Sequence, residues 1–306
     1  MDGVDLRVME YACEVYRQRS VTKAAEVLRV AQPSLSQQLA KLEDELGVIL
    51  FLRGRGGAVP TKHGERFVEQ AGQILRLQED LIREMRERSQ GMGSELVIGA
   101  PAITGGRVLP PLIRAFNQKY RDTRVRLVEE TTDQLERLAV QGETDLCLLA
   151  LPIRDERLAA IPLLTEALYL AVPPREEPTS GEVTGEGSSE DHSVSLKAYS
   201  GSPYILLKNG YGFRQTVLAL CADNGFQPDV AYETSSIETA QTLVAHGLGV
   251  TVVPAMVRRP PGQGPVYFRL DPPASRTLVF VYRKERYQSL AATAFLQVYR
   301  ELGPSV

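Results

Sequence analysis

A set of residues between positions 32 and 41 combines side chains that can read base pairs. Glutamine can make two hydrogen bonds to an adenine edge, serine can bond to a base edge or a phosphate, and lysine neutralises phosphate charge. Such side chains read a DNA sequence when one helix carries them into the major groove. The candidate residues are Gln32, Pro33, Ser34, Ser36, Gln37 and Lys41.

The spacing of apolar residues predicts the helices that position this set. After a first helix over 5–18, Ser20 precedes an alanine-rich run, and a small hydroxyl residue in that place is typical of a helix N-cap. The next helix is predicted over 33–45 and stops at Gly47. Its buried face consists of Leu35, Leu39 and Leu42. Two short helices joined by a tight turn form a helix-turn-helix, and an ordinary helical hairpin with a solvated polar face is the alternative.

The chain from Ser20 to Gly64 resembles the LysR-type transcriptional regulators. The residues that carry the resemblance are the runs Ser20–Leu28, Gln32–Leu39, Leu42–Val48, Leu50–Arg53 and Pro60–Gly64. The resemblance implies that the set at 32–41 is the DNA recognition surface and that 53–57 forms a wing. A glycine-rich hairpin tip with Arg53 and Arg55 fits contact with phosphate or the minor groove, and a plain surface loop is the alternative.

A long helix is predicted from Thr61 to about Arg88. Its seam alternates spacings of four and three residues, the repeat of a coiled coil, with one polar position that can fix the register. A dimer would supply the two half-sites that such DNA-binding units need, and a helix packed on its own domain is the alternative. The predicted seam is Phe67, Ala71, Ile74, Gln78, Leu81 and Met85.

The remaining sequence alternates strands and helices, which predicts open parallel sheets. The predicted strands are Glu95–Ala100, Val125–Glu129, Asp145–Leu149, Leu168–Val172, Pro203–Leu207, Val250–Pro254 and Arg276–Arg283, with a final helix over Tyr287–Leu302. Crossings near 165–170 and 266–270 would divide this region into two hinged subdomains. That arrangement is similar to periplasmic solute-binding proteins and to the effector domain of LysR-type regulators.

The fold class predicted is therefore an α+β multidomain protein. A winged helix-turn-helix occupies 1–60, a linker helix 61–89 and a two-subdomain α/β effector domain 94–306. Subdomain I is expected to cover about 94–166 and 269–306, and subdomain II about 167–268.

Ligands of open α/β sheets bind where the carboxyl ends of strands meet helix N-termini, which favour anions. We therefore expect a small carboxylate as effector. Lys208 would add positive charge, although a solvated surface lysine is the alternative. The expected effector residues are Pro101, Ala102, Ile103, Thr104, Thr131, Thr132, Lys208, Asn209, Ser235 and Ser236.

Composition and charge narrow the functional classes. The 306 residues carry a formal net charge of −3, but the segment 173–193 holds six acids against one arginine, and we interpret it as an inert insertion. We expect no secretory signal, because the first residues include two acids and no basic or apolar signal region, and no membrane span, because no charge-free stretch is long enough to cross a bilayer. We expect no metal site or cofactor, since the three cysteines and three histidines lie far apart. A cytoplasmic protein without a catalytic constellation is the expectation.

Together these patterns predict a dimeric or tetrameric regulator that binds double-stranded promoter DNA and is modulated by a small-molecule effector. RNA polymerase is a further candidate partner. The alternatives are a cytoplasmic small-molecule-binding protein and an enzyme on the same α/β scaffold; the first would not need the N-terminal unit, and the second lacks a visible catalytic constellation.

Overall fold

The computed structural model describes residues 4–54, 57–92, 95–174 and 193–303. The chain divides into two compact units, Met1–Gln90 and Gly91–Val306. Most of the acidic segment expected to be an insertion, residues 175–192, lies outside the described residues.

The first unit is a winged helix-turn-helix followed by a long helix. Its elements are α1 (Leu6–Gln18), α2 (Val21–Leu28), α3 (Gln32–Leu46), β1 (Phe51–Gly54), β2 (Gly57–Pro60) and α4 (Lys62–Gln90). The hydroxyl of Ser20 accepts a hydrogen bond from the Lys23 amide, which confirms the predicted N-cap. Strands β1 and β2 form an antiparallel hairpin, and the Ala58 amide ties it to the carbonyl of Arg19 at 2.8 Å.

The beginning of α4 packs on its own unit rather than extending free. Gly64 approaches the loop before β1 so closely that a Cβ atom would lie 2.1 Å from the Leu50 carbonyl oxygen. Ala71 is buried and Phe67 packs against the core of this unit, so the structure does not expose either residue as part of the predicted seam. The large apolar residues exposed further along α4 are Ile74, Leu77, Leu81, Ile82 and Met85.

The second unit begins with a strand–helix alternation around a sheet of mixed parallel and antiparallel strands. Its first elements are β3 (Glu95–Ala100), α5 (Ala102–Lys119), β4 (Arg124–Glu129), α6 (Thr132–Gln141), β5 (Leu146–Ala150) and the long strand β6 (Leu158–Val172). Strand β3 lies parallel to both β4 and β5. The core on one face is built around Phe116, Phe280 and Phe295, whose rings are in contact.

The strands and helices of the second subdomain follow. Its elements are β7 (Ser193–Ser195), β8 (Pro203–Leu207), α7 (Gly212–Asp223), β9 (Asp229–Thr234), α8 (Ile237–Ala245), β10 (Thr251–Pro254) and β11 (Val266–Asp271). The chain then returns through β12 (Ser275–Arg283) and α9 (Leu290–Leu302). The hydroxyl of Ser289 caps α9 by accepting from the Ala292 amide, so this helix begins after the Tyr287 start that we expected.

Strand β6 passes through both subdomains without interruption. Its residues 158–167 pair with β12, whereas 168–172 pair with β10 and β11. Because β11 remains paired in the second subdomain as far as Asp271, the return crossing lies at 272–274 and not near 266–270. The expectation that 269–271 belong to subdomain I is corrected accordingly.

Two adjacent glycines of α5 give a matched test of how closely this helix packs against the end of β3. A Cβ atom on Gly105 would lie 2.8 Å from the Cβ of Ala100, whereas one on Gly106 would meet nothing within 4 Å. We expect Gly105→Ala to lower the free energy of unfolding by about 1–3 kcal/mol through overpacking. Gly106→Ala should raise it by about 0.5–1 kcal/mol, because alanine favours helix. Urea unfolding of both variants measures the difference, and equal effects would contradict the packing described.

Candidate functional site

The exposed side of α3 carries most of the polar set predicted from the sequence. Leu35, Leu39 and Leu42 are buried and fix the helix on its unit. Exposed or half-buried on its other sides are Gln32, Pro33, Ser34, Ser36, Gln37 and Lys41.

Hydrogen bonds within α3 distinguish the members of this set. The Gln32 amide donates to the Ser36 hydroxyl at 2.8 Å, and the Lys41 ammonium lies 3.5 Å from a Glu45 carboxylate oxygen. Gln37 forms no side-chain hydrogen bond with any residue that the structure describes. Its amide is therefore available for a bidentate contact with a base edge.

The wing predicted at 53–57 is formed by the β1–β2 hairpin. Arg53 lies on β1, and Arg55 lies outside the described residues. Gly57 adopts a φ of 93°, a conformation that an L side chain rarely adopts. The hairpin follows α3 after a short loop that the Glu43 carboxylate holds through the amides of Leu50 and Phe51.

The second unit contains a cavity of about 640 Å³ between its two subdomains. Its size is within the usual range for small-molecule sites. Four predicted effector residues line it: Pro101, Ile103, Thr104 and Thr132. Three helices begin at its wall, α5 after Pro101, α6 at Thr132 and α7 at Gly212. The positive ends of these helix dipoles favour a negatively charged group in the cavity.

The other predicted effector residues do not line this cavity. They are Ala102, Thr131, Lys208, Asn209, Ser235 and Ser236. The hydroxyls of Thr131 and Ser236 cap α6 and α8 by accepting from backbone amides three residues ahead. The Lys208 amide bonds to the Thr234 carbonyl while its side chain is exposed. Selecting polar residues that follow predicted strands therefore found helix caps as well as residues that line the cavity.

Direct contacts join the two subdomains beside the cavity. The Gly212 amide donates to the Thr132 hydroxyl at 3.0 Å, and the Asp133 amide donates to the Gly210 carbonyl at 3.2 Å. On α5 and α8, Arg107 and Glu238 form an ion pair of 3.5 Å. The cavity is therefore bounded by both subdomains.

Arg276, which lines the cavity, forms a buried ion pair at the crossing strands. Arg276 on β12 places Nε 2.8 Å and Nη2 2.7 Å from Oε1 of Glu166 on β6. The other Glu166 oxygen accepts from the Met256 amide at 3.0 Å, and the guanidinium carbon lies 5.1 Å from the centre of the Phe213 ring. Burial lowers the pKa of Arg276 while Glu166 opposes that shift, and an arginine remains protonated at physiological pH.

Sequence reasoning missed this pair, although its signal was present. Glu166 is the single charged residue of β6, and Arg276 is one of two arginines in the largely apolar β12. Charged residues are rarely buried unless they are paired. The carboxylates that line the cavity are Glu136 and Asp223. Burial raises the pKa of Glu136, although the Arg154 amide donates to it.

The described part of the chain offers no metal-binding cluster of three or more His, Cys, Asp or Glu side chains. Among the described helices, none has the length and apolar composition needed to cross a membrane.

The cysteine thiols lie in environments that suppress their reactivity. Burial raises the pKa of Cys147 to about 12 and that of Cys221 to about 11, and it also raises the pKa of Cys13. Only the thiolate is a strong nucleophile, and a thiol with a pKa near 11 is ionised in roughly one molecule in a thousand at pH 8.

We therefore expect iodoacetamide to leave Cys147 and Cys221 unmodified in the folded protein at pH 8. Denaturant should expose both thiols and allow full modification, which serves as the control. Intact-mass spectrometry followed by peptide mapping measures the sites. Rapid labelling of either residue without denaturant would show that its thiol is accessible and would contradict the burial described.

Comparison with family models covers both units of the chain. A model described as the LysR substrate binding domain matches residues 89–304. A second, described as bacterial regulatory helix-turn-helix protein, lysR family, matches residues 6–65.

Individual relatives match over nearly the full length. The HTH-type transcriptional regulator YcgK of Bacillus subtilis strain 168, itself described as uncharacterized, is 50% identical, covering 97% of this chain and 94% of the relative. The hydrogen peroxide-inducible genes activator of Escherichia coli O157:H7 is 30% identical, covering 94% of each. The structure of a full-length OxyR variant from Pseudomonas aeruginosa has a TM-score of 0.67 at 27% identity, covering 97% of this chain and 98% of that one.

Proposed function

Because the chain belongs to the LysR family of DNA-binding transcriptional regulators, we propose that it binds promoter DNA as a dimer or tetramer and that a small carboxylate in the cavity changes those contacts. The observation that carries the DNA-binding assignment is the free amide of Gln37 on the exposed side of α3. Acting on chromosomal DNA, the protein would work in the cytoplasm, with RNA polymerase as a further partner.

In this proposal the residues of α3 divide into base-reading and phosphate-binding groups. Gln37 reads a base edge, with Gln32, Pro33, Ser34 and Ser36 at the same surface, and Lys41 contacts phosphate. Arg53 and Arg55 of the wing contact the backbone or the minor groove. Removing a phosphate contact weakens binding to every sequence, whereas removing a base contact relaxes the preference at one position.

Gln37→Ala tests the base-reading role. On a duplex selected by the wild-type protein from a random library, we expect a loss of about 1–3 kcal/mol of binding free energy and relaxed selection at one base pair. Fluorescence anisotropy at fixed salt and a repeated selection measure the two effects.

Gln38→Ala is the matched control, since it removes the same amide one position along the exposed helix. Because Gln38 lies about 100° around the helix from Gln37, its substitution should leave the selected DNA sequence unchanged. If Gln37→Ala kept both the affinity and the selected sequence, the recognition role assigned to Gln37 would be wrong.

For assembly, we propose that the exposed apolar residues of α4 meet the same helix of a second chain. Of the predicted seam, Ile74, Leu81 and Met85 are exposed and Gln78 is half-buried. Leu77 and Ile82 extend this surface, and Phe67 and Ala71 support α4 from within the unit. Exposed apolar side chains that repeat along one helix are stabilised when a partner covers them.

Leu81→Lys should therefore shift the protein toward the single chain, because a buried charge without a partner is strongly unfavourable. Sedimentation velocity over a range of concentrations measures the effect. Ile49→Lys changes an apolar residue of equal exposure, 58%, in the loop after α3 and should leave the assembly unchanged. Identical behaviour of the two variants would contradict assembly through α4.

For regulation, we propose that the effector is a small carboxylate whose binding alters the angle between the subdomains. Three helix N-termini and Arg276 supply favourable partners for an anion, and the cavity is lined by both subdomains. A ligand that contacts both subdomains favours the arrangement in which both contacts are made.

The peroxide response named for the Escherichia coli relative is not part of this proposal. A peroxide-sensing cysteine requires an accessible thiol with a low pKa, and the pKa of each of the three cysteines here is raised.

A further inference from the structure

The guanidinium of Arg276 has one nitrogen whose hydrogen-bonding capacity is unused. Nε and Nη2 both bond to Glu166, and Nη2 also lies 3.8 Å from the sulfur of Met256. Within the part of the chain that the structure describes, Nη1 has no hydrogen-bond acceptor. The side chain is 4% exposed, yet it lines the cavity.

Because Nη1 has surface open to the cavity and no acceptor among the described residues, it can bind a ligand there, and a carboxylate is among the acceptors that an arginine binds most strongly. We propose that Arg276, and not Lys208, anchors the effector through Nη1, and that the effector is a monocarboxylate with an apolar body. This inference rests on the proposed function, since it takes the cavity to be the effector site.

The apolar body follows from the other surfaces of the cavity. Ile103, Leu151, Pro152, Phe213 and Leu220 all line it. The Phe213 ring faces the guanidinium, so a group held at Nη1 lies beside an aromatic surface. A small hydrophilic acid would leave these apolar walls in contact with water, whereas an aromatic or branched aliphatic body would cover them.

The restriction to one carboxylate follows from the charges around the cavity. Glu166 already neutralises much of the charge of Arg276. Arg154, the other arginine of the cavity lining, forms an ion pair with Asp133 at 3.1 Å. Because Glu136 and Asp223 also line the cavity, a second anionic group on the ligand would meet repulsion without a free cation among the described lining residues to offset it.

Isothermal titration calorimetry on the full-length protein tests the ligand class with three probes that share one body. The probes are 3-phenylpropionate, its neutral amide 3-phenylpropionamide, and the dicarboxylate benzylmalonate. We expect 3-phenylpropionate to bind at least about tenfold more tightly than either of the others. Equal binding of acid and amide, tighter binding of the dicarboxylate, or no binding of any probe would overturn the inference.

Two variants test the anchoring residue. Glu166→Gln releases the charge of Arg276 and should tighten binding of 3-phenylpropionate but not of its amide. The double variant Glu166→Gln/Arg276→Met removes both charges together and should weaken binding of the acid by about 10-fold to 100-fold. Circular dichroism measures whether each variant is folded. If Glu166→Gln does not fold, acid binding by the wild type and by the double variant is compared instead, and this comparison tests whether Arg276 is the anchor.

Lys208→Ala distinguishes the two candidate anchors. Loss of acid binding in Lys208→Ala, with binding retained in the double variant, would overturn the assignment to Arg276. Sequence-specific DNA binding is measured separately, on selected duplexes. If the ligand inference failed while specific DNA binding was observed, only the ligand inference would be overturned. Absence of specific DNA binding would instead overturn the proposed function.

Discussion

The constraint on which our account of the second unit rests is the buried ion pair of Glu166 and Arg276, at the place where the two subdomains join. Removing a carboxylate and a guanidinium from water costs several kcal/mol each, so Glu166 and Arg276 are tolerated only with complementary neighbours. Those neighbours come from both subdomains, since β6 and β12 pair in the first while Met256 and Phe213 belong to the second. In the proposed regulation, a ligand bound at Arg276 would alter contacts that involve both subdomains.

The features that the sequence predicted well are those decided by local interactions. The Ser20 cap and the buried face at Leu35, Leu39 and Leu42 follow from helical periodicity and capping within a few residues. The alternation of β3, α5, β4, α6 and β5 was predictable for the same reason. Family membership was also evident from sequence, since the matching residues lie close together in the helix-turn-helix.

What the sequence left undetermined depends on contacts between distant residues. The return crossing lies at 272–274 because β11 keeps its pairing with β7 as far as Asp271, a choice that no local pattern specifies. Phe67 and Ala71 fit a coiled-coil repeat as well as they fit packing on their own unit, and only the folded unit distinguishes the two. Glu166 and Arg276 lie 110 residues apart, so their pairing and the place of Arg276 in the cavity wall appear only in three dimensions.

Sequence-specific regulation is tested most directly by a DNase I footprint, at fixed salt, on the DNA upstream of the gene that encodes this chain. Regulation by a symmetric assembly predicts protection of two half-sites separated by about one helical turn or a multiple of it. Diffuse protection that disappears as salt is raised, with no preferred sequence, would contradict it, because such binding reflects phosphate charge alone.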